Sequence, residues 1–315
     1  MIVKIKVRVV HSNNEPKNQH YLPKCYLKSW QIKKSSPHVY SYMVAHQKVV
    51  YKDKAPSHIC SIDDFYTFLP EIDILENKGY ELERFFSNLE NQASPILEGI
   101  IKHDFENIDS SSKEILAKFI LSLYYRNPRY IEPLCEELIK DSELFHVDFK
   151  KRMLQPTEIY STRIEEERVK NVEIAFSMLR PQVFARNYVL RLVKEQIEAK
   201  QTIANLVNMI WSTISYVELA EDCFITSDAP LIVNLGHGLQ DENVLITLPL
   251  SPKKLLVFYS DKNCFSKDFL LKIAGINNFL LMQYSQFIIS DRVIKDTYYF
   301  KNERALREIF MKKNL

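Results

Sequence analysis

A thirteen-residue segment, 18–30, carries an unusual density of side chains that can do chemistry. It holds the imidazole of His20, the ammonium groups of Lys24 and Lys28, side-chain amide groups and three aromatic rings. An imidazole can act as a general acid or base, and ammonium groups stabilise developing negative charge. Because a spacing of four residues places His20, Lys24 and Lys28 on one face of a helix, the segment predicts a site for an anionic substrate. The alternative is that His20 caps the helix or bonds a backbone carbonyl group.

Acidic residues recur every seven positions at Glu76, Glu83 and Glu90. On one helix this spacing aligns the three carboxylates along a common face, two turns apart. Such carboxylates could hold a metal ion or orient a base, although no histidine stands at ligand spacing beside them. A solvated acidic stripe is the alternative interpretation.

Arg126 ends a predicted helix whose last two turns are largely apolar and aromatic, and Asn127 and Pro128 follow it. An arginine at the C-terminus of a helix is favourable with the helix dipole alone. Its planar guanidinium can also clamp a phosphate group through paired hydrogen bonds. Both interpretations stay open.

A turn at 226–230 follows a short apolar strand and places Asp228 before Pro230. A carboxylate held rigidly at a strand end suits an acid, a base or a group that orients a substrate. It equally suits a turn in which the aspartate bonds its own backbone. The neighbouring Ser227 lacks both a GxSxG motif and a histidine at a recognisable spacing, so a serine hydrolase is not predicted.

Aromatic residues are interleaved with lysines in the first part of the chain. The rings belong to Tyr21, Tyr26, Trp30, Tyr40, Tyr42 and Tyr51. Rings and ammonium groups together could form a stacking surface for single-stranded nucleic acid or a nucleotide. The competing interpretation is that these rings fill the core of a small sheet.

The composition bounds the class of protein. The 315 residues contain only five glycines, and neither GxGxxG nor GxxxxGK[ST] occurs, which argues against the common nucleotide-binding loops. The five cysteines are far apart, as expected for reduced thiols in the cytoplasm. With a net charge of only +2, a nucleic-acid partner would need a local basic patch, which the lysine-rich N-terminal third could supply. No apolar run approaches the length of a membrane span.

The hydrophobic pattern predicts an α+β fold with β-rich ends and a helical middle. It divides the chain into a β-rich unit with one helix (1–70), a helical region (71–213) and an α+β region (214–315), or one integrated domain. The predicted strands lie at 2–10, 38–44, 47–51, 64–68, 223–226, 231–234, 244–248 and 255–259. One helix is predicted to start near residue 21. The other predicted helices cover 78–102, 113–126 (capped by the serines at 110–112), 129–147, 165–179, 183–213 and 266–286. Residues 141–162 are predicted to be a flexible connector.

Several of these motifs together resemble a bacterial family catalogued as domain of unknown function 4238. The resemblance rests on Gln19-His20-Tyr21-Leu22-Pro23-Lys24, Asp64-Phe65-Tyr66, Glu83 with Glu90, the Tyr-Tyr-Arg-Asn-Pro run at 124–128, the Phe224–Pro230 segment and Leu248-Pro-Leu-Ser-Pro252. It spans about residues 18–290. The resemblance implies an intracellular bacterial protein with a toxin-like or defence role, and it supplies no reaction.

These observations lead to one functional hypothesis and one alternative. The hypothesis is a cytoplasmic, metal-independent hydrolase or nuclease that acts on a phosphodiester in RNA or a nucleotide, without a cofactor. The predicted catalytic residues are His20 as general acid or base, with Glu83 and Asp228. The predicted substrate-binding residues are Gln19, Lys24, Lys28, Tyr66, Arg126 and Ser227. The alternative is a non-catalytic module that binds nucleic acid or an anionic ligand. The sequence predicts neither the oligomeric state nor a partner protein.

Overall fold

The architecture comes from a computed structural model of the chain. It describes residues 17–32, 36–45, 48–69, 79–103, 108–155, 162–178, 180–215, 223–233, 244–259 and 286–292. The helices are α1 (Lys24–Leu27), α2 (Glu81–His103), α3 (Ser110–Tyr125), α4 (Pro128–Met153), α5 (Thr162–Met178), α6 (Pro181–Ile197) and α7 (Lys200–Asn208). The strands are β1 (Asn18–His20), β2 (Val39–Ala45), β3 (Lys48–Lys54), β4 (Ser61–Asp63), β5 (Ile210–Ser215), β6 (Thr226–Ser227), β7 (Ile232–Val233), β8 (Ile246–Ser251), β9 (Lys254–Tyr259) and β10 (Ile288–Ser290).

Three sheets form within the described residues, and every pairing in them is antiparallel. The first contains β1 and β4, the second has the order β3-β2-β10-β6, and the third has the order β5-β9-β8-β7. The second sheet combines two strands from the N-terminal part with two from the C-terminal part. The strands lie toward both ends and the helices in the middle, which confirms the predicted α+β fold.

The helical middle is organised around α3, which is buried along most of its length. Asp109 caps this helix by accepting a hydrogen bond from the Ser112 N–H at 2.9 Å. Asn127 then caps α4, where its Oδ1 accepts from the Arg129 N–H at 3.0 Å and Pro128 occupies the first helical position. The chain therefore turns sharply between α3 and α4, at the position of Arg126.

The predicted helix near residue 21 and the strands at 38–44 and 47–51 are confirmed as α1, β2 and β3. The strand expected at 64–68 is wrong, because residues 64–66 form a turn in which Asp64 has a left-handed φ of 55°. The strand lies just before it, as β4, and pairs with β1. His20 is opposite Ser61 in this pairing. The sequence signal was misleading because a three-residue strand is defined by its distant partner rather than by local alternation.

Some helix boundaries also differ from the prediction. The cap of α3 is Asp109, one residue before the serines. The connector expected at 141–162 is wrong over its first half, since α4 continues to Met153 with an Arg152–Asp148 ion pair at 2.7 Å.

The long helix expected at 183–213 is divided into α6, α7 and β5. Trp211 in β5 packs its ring against Phe258 of β9 at 4.3 Å, and this tertiary contact favours the strand. The predicted strand at 2–10 and nearly all of the predicted helix at 266–286 lie outside the described residues.

One buried hydroxyl links two of the sheets. The Tyr26 hydroxyl lies 2.7 Å from the Thr226 hydroxyl in β6 and donates to the Pro249 carbonyl oxygen in β8 at 2.5 Å. Tyr26 belongs to α1, so this short helix is fixed against the second and third sheets at once.

We expect Tyr26→Phe to lower the free energy of unfolding by about 1–3 kcal/mol, because it leaves two buried polar groups without this hydrogen-bond partner. Chemical denaturation measures this change. The matched control is Tyr188→Phe on α6, whose side chain is 44% exposed; we expect a change within about 0.5 kcal/mol there. Equal effects of the two variants would contradict the role given to the Tyr26 hydroxyl.

Candidate functional site

The side chain of Arg126 is fully buried and joins three elements that are distant in sequence. Its Nε donates to the Tyr21 carbonyl oxygen at 3.0 Å, and its Nη2 donates to the His20 carbonyl oxygen at 2.9 Å. Its Nη1 donates to Oε1 of Glu90 on α2 at 2.8 Å. The guanidinium thus binds the end of β1 and the facing helix together.

Two aromatic rings complete the surroundings of Arg126. The guanidinium carbon lies 4.8 Å from the centre of the Phe86 ring, and the Tyr66 hydroxyl donates to the Arg126 carbonyl oxygen at 2.6 Å. Burial alone would lower the pKa of Arg126, but nearby negative charge, chiefly that of Glu90, outweighs burial, and the pKa is raised. Because Nε, Nη1 and Nη2 all donate to protein acceptors, the geometry favours a role in positioning over the phosphate clamp that the sequence suggested.

Glu83 lies two turns before Glu90 on the same face of α2, as the seven-residue spacing predicts, whereas Glu76 lies outside the described residues. The side chain of Glu83 is half-buried, and burial raises its pKa to about 7. The charge of Glu90 also raises this pKa, while Arg126 and Lys24 oppose the shift. A carboxyl group with such a pKa exists in both forms near neutral pH, so it can both accept and donate a proton.

His20 lies in β1, not at the start of a helix as predicted, so the expected helical face shared with Lys24 is wrong. Nε2 of His20 lies 3.2 Å from the Pro56 carbonyl oxygen. A carbonyl oxygen can only accept, so Nε2 carries the hydrogen in this bond and Nδ1 of the neutral ring is an acceptor. Burial, followed by the charge of Lys24, lowers the pKa of His20 to about 4. The ring is therefore neutral at pH 7.

The two lysines of segment 18–30 have different surroundings. Lys24 is exposed at the first position of α1, and its charge acts on the pKa of both His20 and Glu83. Lys28 instead donates to Oε1 of Glu98 at 2.7 Å, farther along α2 than Glu90. Lys24 is thus close to His20 and Glu83, whereas the Lys28 ammonium pairs with a carboxylate closer to the C-terminus of α2.

The structure gives Asp228 and Ser227 structural contacts at the end of β6. Both side chains are fully buried. Oδ2 of Asp228 accepts from the N–H groups of Gln286 at 2.6 Å and Phe287 at 3.2 Å, and Asn127 donates to the Asp228 carbonyl oxygen at 2.6 Å. The Ser227 hydroxyl accepts from the Ala229 N–H at 3.2 Å. The charge of Asp228 acts on Tyr21 and Cys60 rather than on Glu83.

Gln19 and Tyr66 are also fully buried. The Gln19 amide donates to the Thr67 hydroxyl at 2.8 Å, and its oxygen accepts from the Tyr66 N–H. Arg186 of α6 holds the same turn from another side, with Nη1 donating to the Thr67 carbonyl oxygen at 2.6 Å. These contacts position the Tyr66 hydroxyl against Arg126.

Most of the predicted stacking surface belongs to the core. The side chains of Tyr21, Tyr26, Trp30 and Tyr42 are buried and pack in the main hydrophobic cluster. The alternative interpretation, in which these rings fill the interior, is therefore the right one for these four residues.

The pairing of Arg126 with Glu90, and the proximity of Cys25 to this pair, are not predicted from the sequence. The available signal was that an arginine directly after a buried helix needs a carboxylate partner, and Glu90 lies in the apolar stripe of α2. Cys25 is half-buried near both groups, and burial raises the pKa of its thiol to about 12, so it is not a thiolate at neutral pH.

Two absences hold for the part of the chain that the structure describes. There, no group of three or more histidine, cysteine or acidic side chains is arranged to hold a metal ion. No helix in those residues combines the length and the apolar character needed to cross a membrane.

Glu90→Gln should lower the free energy of unfolding by about 2–4 kcal/mol, because it leaves the buried guanidinium of Arg126 without its negative partner. It should also lower the pKa of Glu83, since the charge of Glu90 raises that pKa. Denaturation and NMR titration of the carboxyl group measure the two effects. The control Glu114→Gln breaks the exposed pair with Lys118, and should change stability by less than about 0.5 kcal/mol. An equally small effect at Glu90 would refute the central role of the pair.

Searches of the curated proteins and of the solved structures found no match to this chain. A family model does match residues 18–269, which includes every described element except β10. On this match, the chain belongs to the family described as "Protein of unknown function (DUF4238)".

Proposed function

We propose that the protein is a hydrolase or nuclease that cleaves a phosphodiester bond in RNA or a nucleotide, with Glu83 as the proton-transfer group. The observation that carries the proposal is that the charges of Lys24 and of the buried Arg126 act on the pKa of both Glu83 and His20, which places the two groups around the same cations. The side chains of Glu83, His20 and Lys24 come from α2, β1 and α1, and each retains contact with solvent.

The proposed reaction uses only groups of this chain. The ionised form of Glu83 removes the proton of the attacking hydroxyl or water while that oxygen bonds to phosphorus. The bond between phosphorus and the leaving oxygen breaks, and this oxygen takes up a proton from the newly protonated Glu83 or from water. The exposed Lys24 offsets negative charge on the phosphoryl oxygens. His20, through Nδ1, accepts a hydrogen bond that orients the attacking group.

The roles differ from the hypothesis drawn from the sequence. A histidine with a pKa of about 4 is a weak base at neutral pH, whereas a carboxyl group with a pKa of about 7 is near its optimum for proton transfer. The role of general acid and base is therefore assigned to Glu83 instead of His20. Gln19, Tyr66, Arg126, Ser227 and Asp228 position the site from within the fold, and Lys28 is assigned no contact with the substrate.

The same proposal includes a biological role for this activity. An enzyme that cleaves cellular RNA would slow growth, which fits a cytoplasmic toxin or defence effector in bacteria. Induced expression of the wild-type protein and of an inactive variant, followed by measurement of growth and RNA integrity, tests this assignment.

Glu83→Gln should reduce turnover of labelled RNA or nucleotide by about 100-fold or more while leaving the melting temperature unchanged or higher. The wild-type rate should rise with pH and level off above about pH 7, as Glu83 ionises. This pH dependence should be absent in the variant. The matched control is Glu81→Gln, an exposed carboxylate two residues earlier on α2, which should retain full activity.

Full activity of Glu83→Gln would remove Glu83 from the mechanism. Retention of RNA without products, with affinity that falls as salt is added, would favour the binding module instead. The burial of Tyr21, Tyr26, Trp30 and Tyr42 weighs against this alternative, since these rings cannot stack on exposed bases.

The two shifted groups should affect stability in opposite directions with pH. Glu83 has a folded pKa above its ordinary value of 4.5, so it reduces stability as pH rises from about 4.5 to 7. His20 has a folded pKa below 6.5, so it reduces stability as pH falls from about 6.5 to 4. The two contributions partly cancel in the wild-type protein.

Single variants should separate these contributions. Relative to wild type, Glu83→Gln should gain stability as pH rises through this window, by on the order of 1–2 kcal/mol after allowance for partial exposure. His20→Asn should show the reverse trend, being relatively most stable near pH 4. Denaturation curves from pH 4 to 8 measure both slopes, and two variants with the same slope would contradict the assigned pKa shifts.

A further inference from the structure

The outer face of α4 carries a charge pattern that is complementary to itself. Glu137 and Lys151 each lie seven residues from Leu144, and Lys140 and Asp148 each lie four residues from it. Steps of four and seven residues return to the same side of a helix, so these five side chains share one face. All five are exposed.

An apolar patch lies at the centre of this face. Leu144 is 62% exposed and Val147 is 66% exposed, which is unusual for large aliphatic side chains. On the neighbouring α6, whose Gln182 donates to Glu143 of α4, Phe184 is 51% exposed. Phe184 is thus a further exposed apolar side chain, on a helix that contacts α4.

The rest of the fold leaves this face open within the described residues. Helix α5 approaches α4 from elsewhere, since Arg168 donates to the carbonyl oxygens of Met153 and Gln155. These carbonyl groups lie at the C-terminal end of α4, nine or more residues from Leu144. Helix α6 also packs against α4, yet the five charged and apolar positions of this face stay exposed.

We infer that α4 is the contact surface of a homodimer, in which it meets α4 of a second copy in antiparallel orientation about a two-fold axis through Leu144. A two-fold axis at this position places each residue opposite the one at the same distance on the other side of Leu144. Glu137 then faces Lys151 of the second copy, Lys140 faces Asp148, and the two Leu144 side chains face each other. By symmetry each of these two ion pairs occurs twice.

A second copy fits this face because of that symmetry. The charges at 137, 140, 148 and 151 change sign on reflection through Leu144, so these four positions are matched by the same positions of an antiparallel second copy. Such pairing by opposite charges at helix flanks sets partner and orientation in helical pairs. Within one chain, Asp148 already pairs with Arg152, so the second copy would add Lys140 to an existing pair.

Sedimentation equilibrium or light scattering of the full chain should give a mass near twice 37.1 kDa at high protein concentration and low salt. Leu144→Glu should give the monomer mass, because it places two carboxylates face to face. Circular dichroism should show the variant folded, since Leu144 is exposed. A wild-type mass of 37.1 kDa at every concentration would overturn the inference.

Charge reversal tests the register. Glu137→Lys and Lys151→Glu should each weaken association by roughly tenfold or more, because each creates two like-charge contacts in the dimer. A mixture of these two variants should associate again, since the introduced lysine of one chain would face the introduced glutamate of the other. Glu114→Lys on α3 is the control for charge reversal elsewhere and should leave association unchanged. Failure of the mixture to associate would overturn the antiparallel arrangement.

Discussion

Compensation of the buried charge on Arg126 is the constraint on which the polar network depends. Moving a guanidinium out of water costs several kcal/mol unless carboxylate and hydrogen-bond acceptors replace the water. Here the acceptors are Glu90 and the carbonyl oxygens of His20 and Tyr21. Since α2 supplies the carboxylate and the end of β1 supplies the carbonyl groups, satisfying one side chain fixes both elements relative to α3.

The same burial explains why a carboxyl group and an imidazole shift in opposite directions. Burial favours the neutral form of any titratable group, so it raises the pKa of Glu83 and lowers that of His20. Glu90 already balances the charge of Arg126, so Arg126 offsets the burial of Glu83 only in part. The outer Lys24 moderates the shift further but does not cancel it. Burial is thus the main reason why Glu83 changes protonation near neutrality, and the charges of Arg126, Glu90 and Lys24 modify that shift.

The sequence predicts those parts of the structure that depend on local pattern. The apolar period of α2 and α3 is strong, and the seven-residue spacing correctly places Glu83 and Glu90 on a common face. The spacing could not show which carboxylate pairs with Arg126, because that pairing depends on how α3, which Arg126 follows, packs against α2. Strand β1 was missed for a similar reason, since its three residues are ordered by pairing with β4, which lies far along the chain. Trp211 shows the same limit, as its contact with Phe258 selects a strand where the pattern favoured a helix.

Part of the polar segment 18–30 serves the architecture of the fold. Gln19 holds the turn that contains Tyr66, and the backbone carbonyl groups of the next two residues hold Arg126. Those carbonyl groups are present whatever the side chains are, so residue types alone could not reveal them. What the architecture leaves at the solvent edge is the His20 ring and the Lys24 ammonium, next to Glu83. The positions of these three side chains are set by the buried Arg126–Glu90 pair behind them.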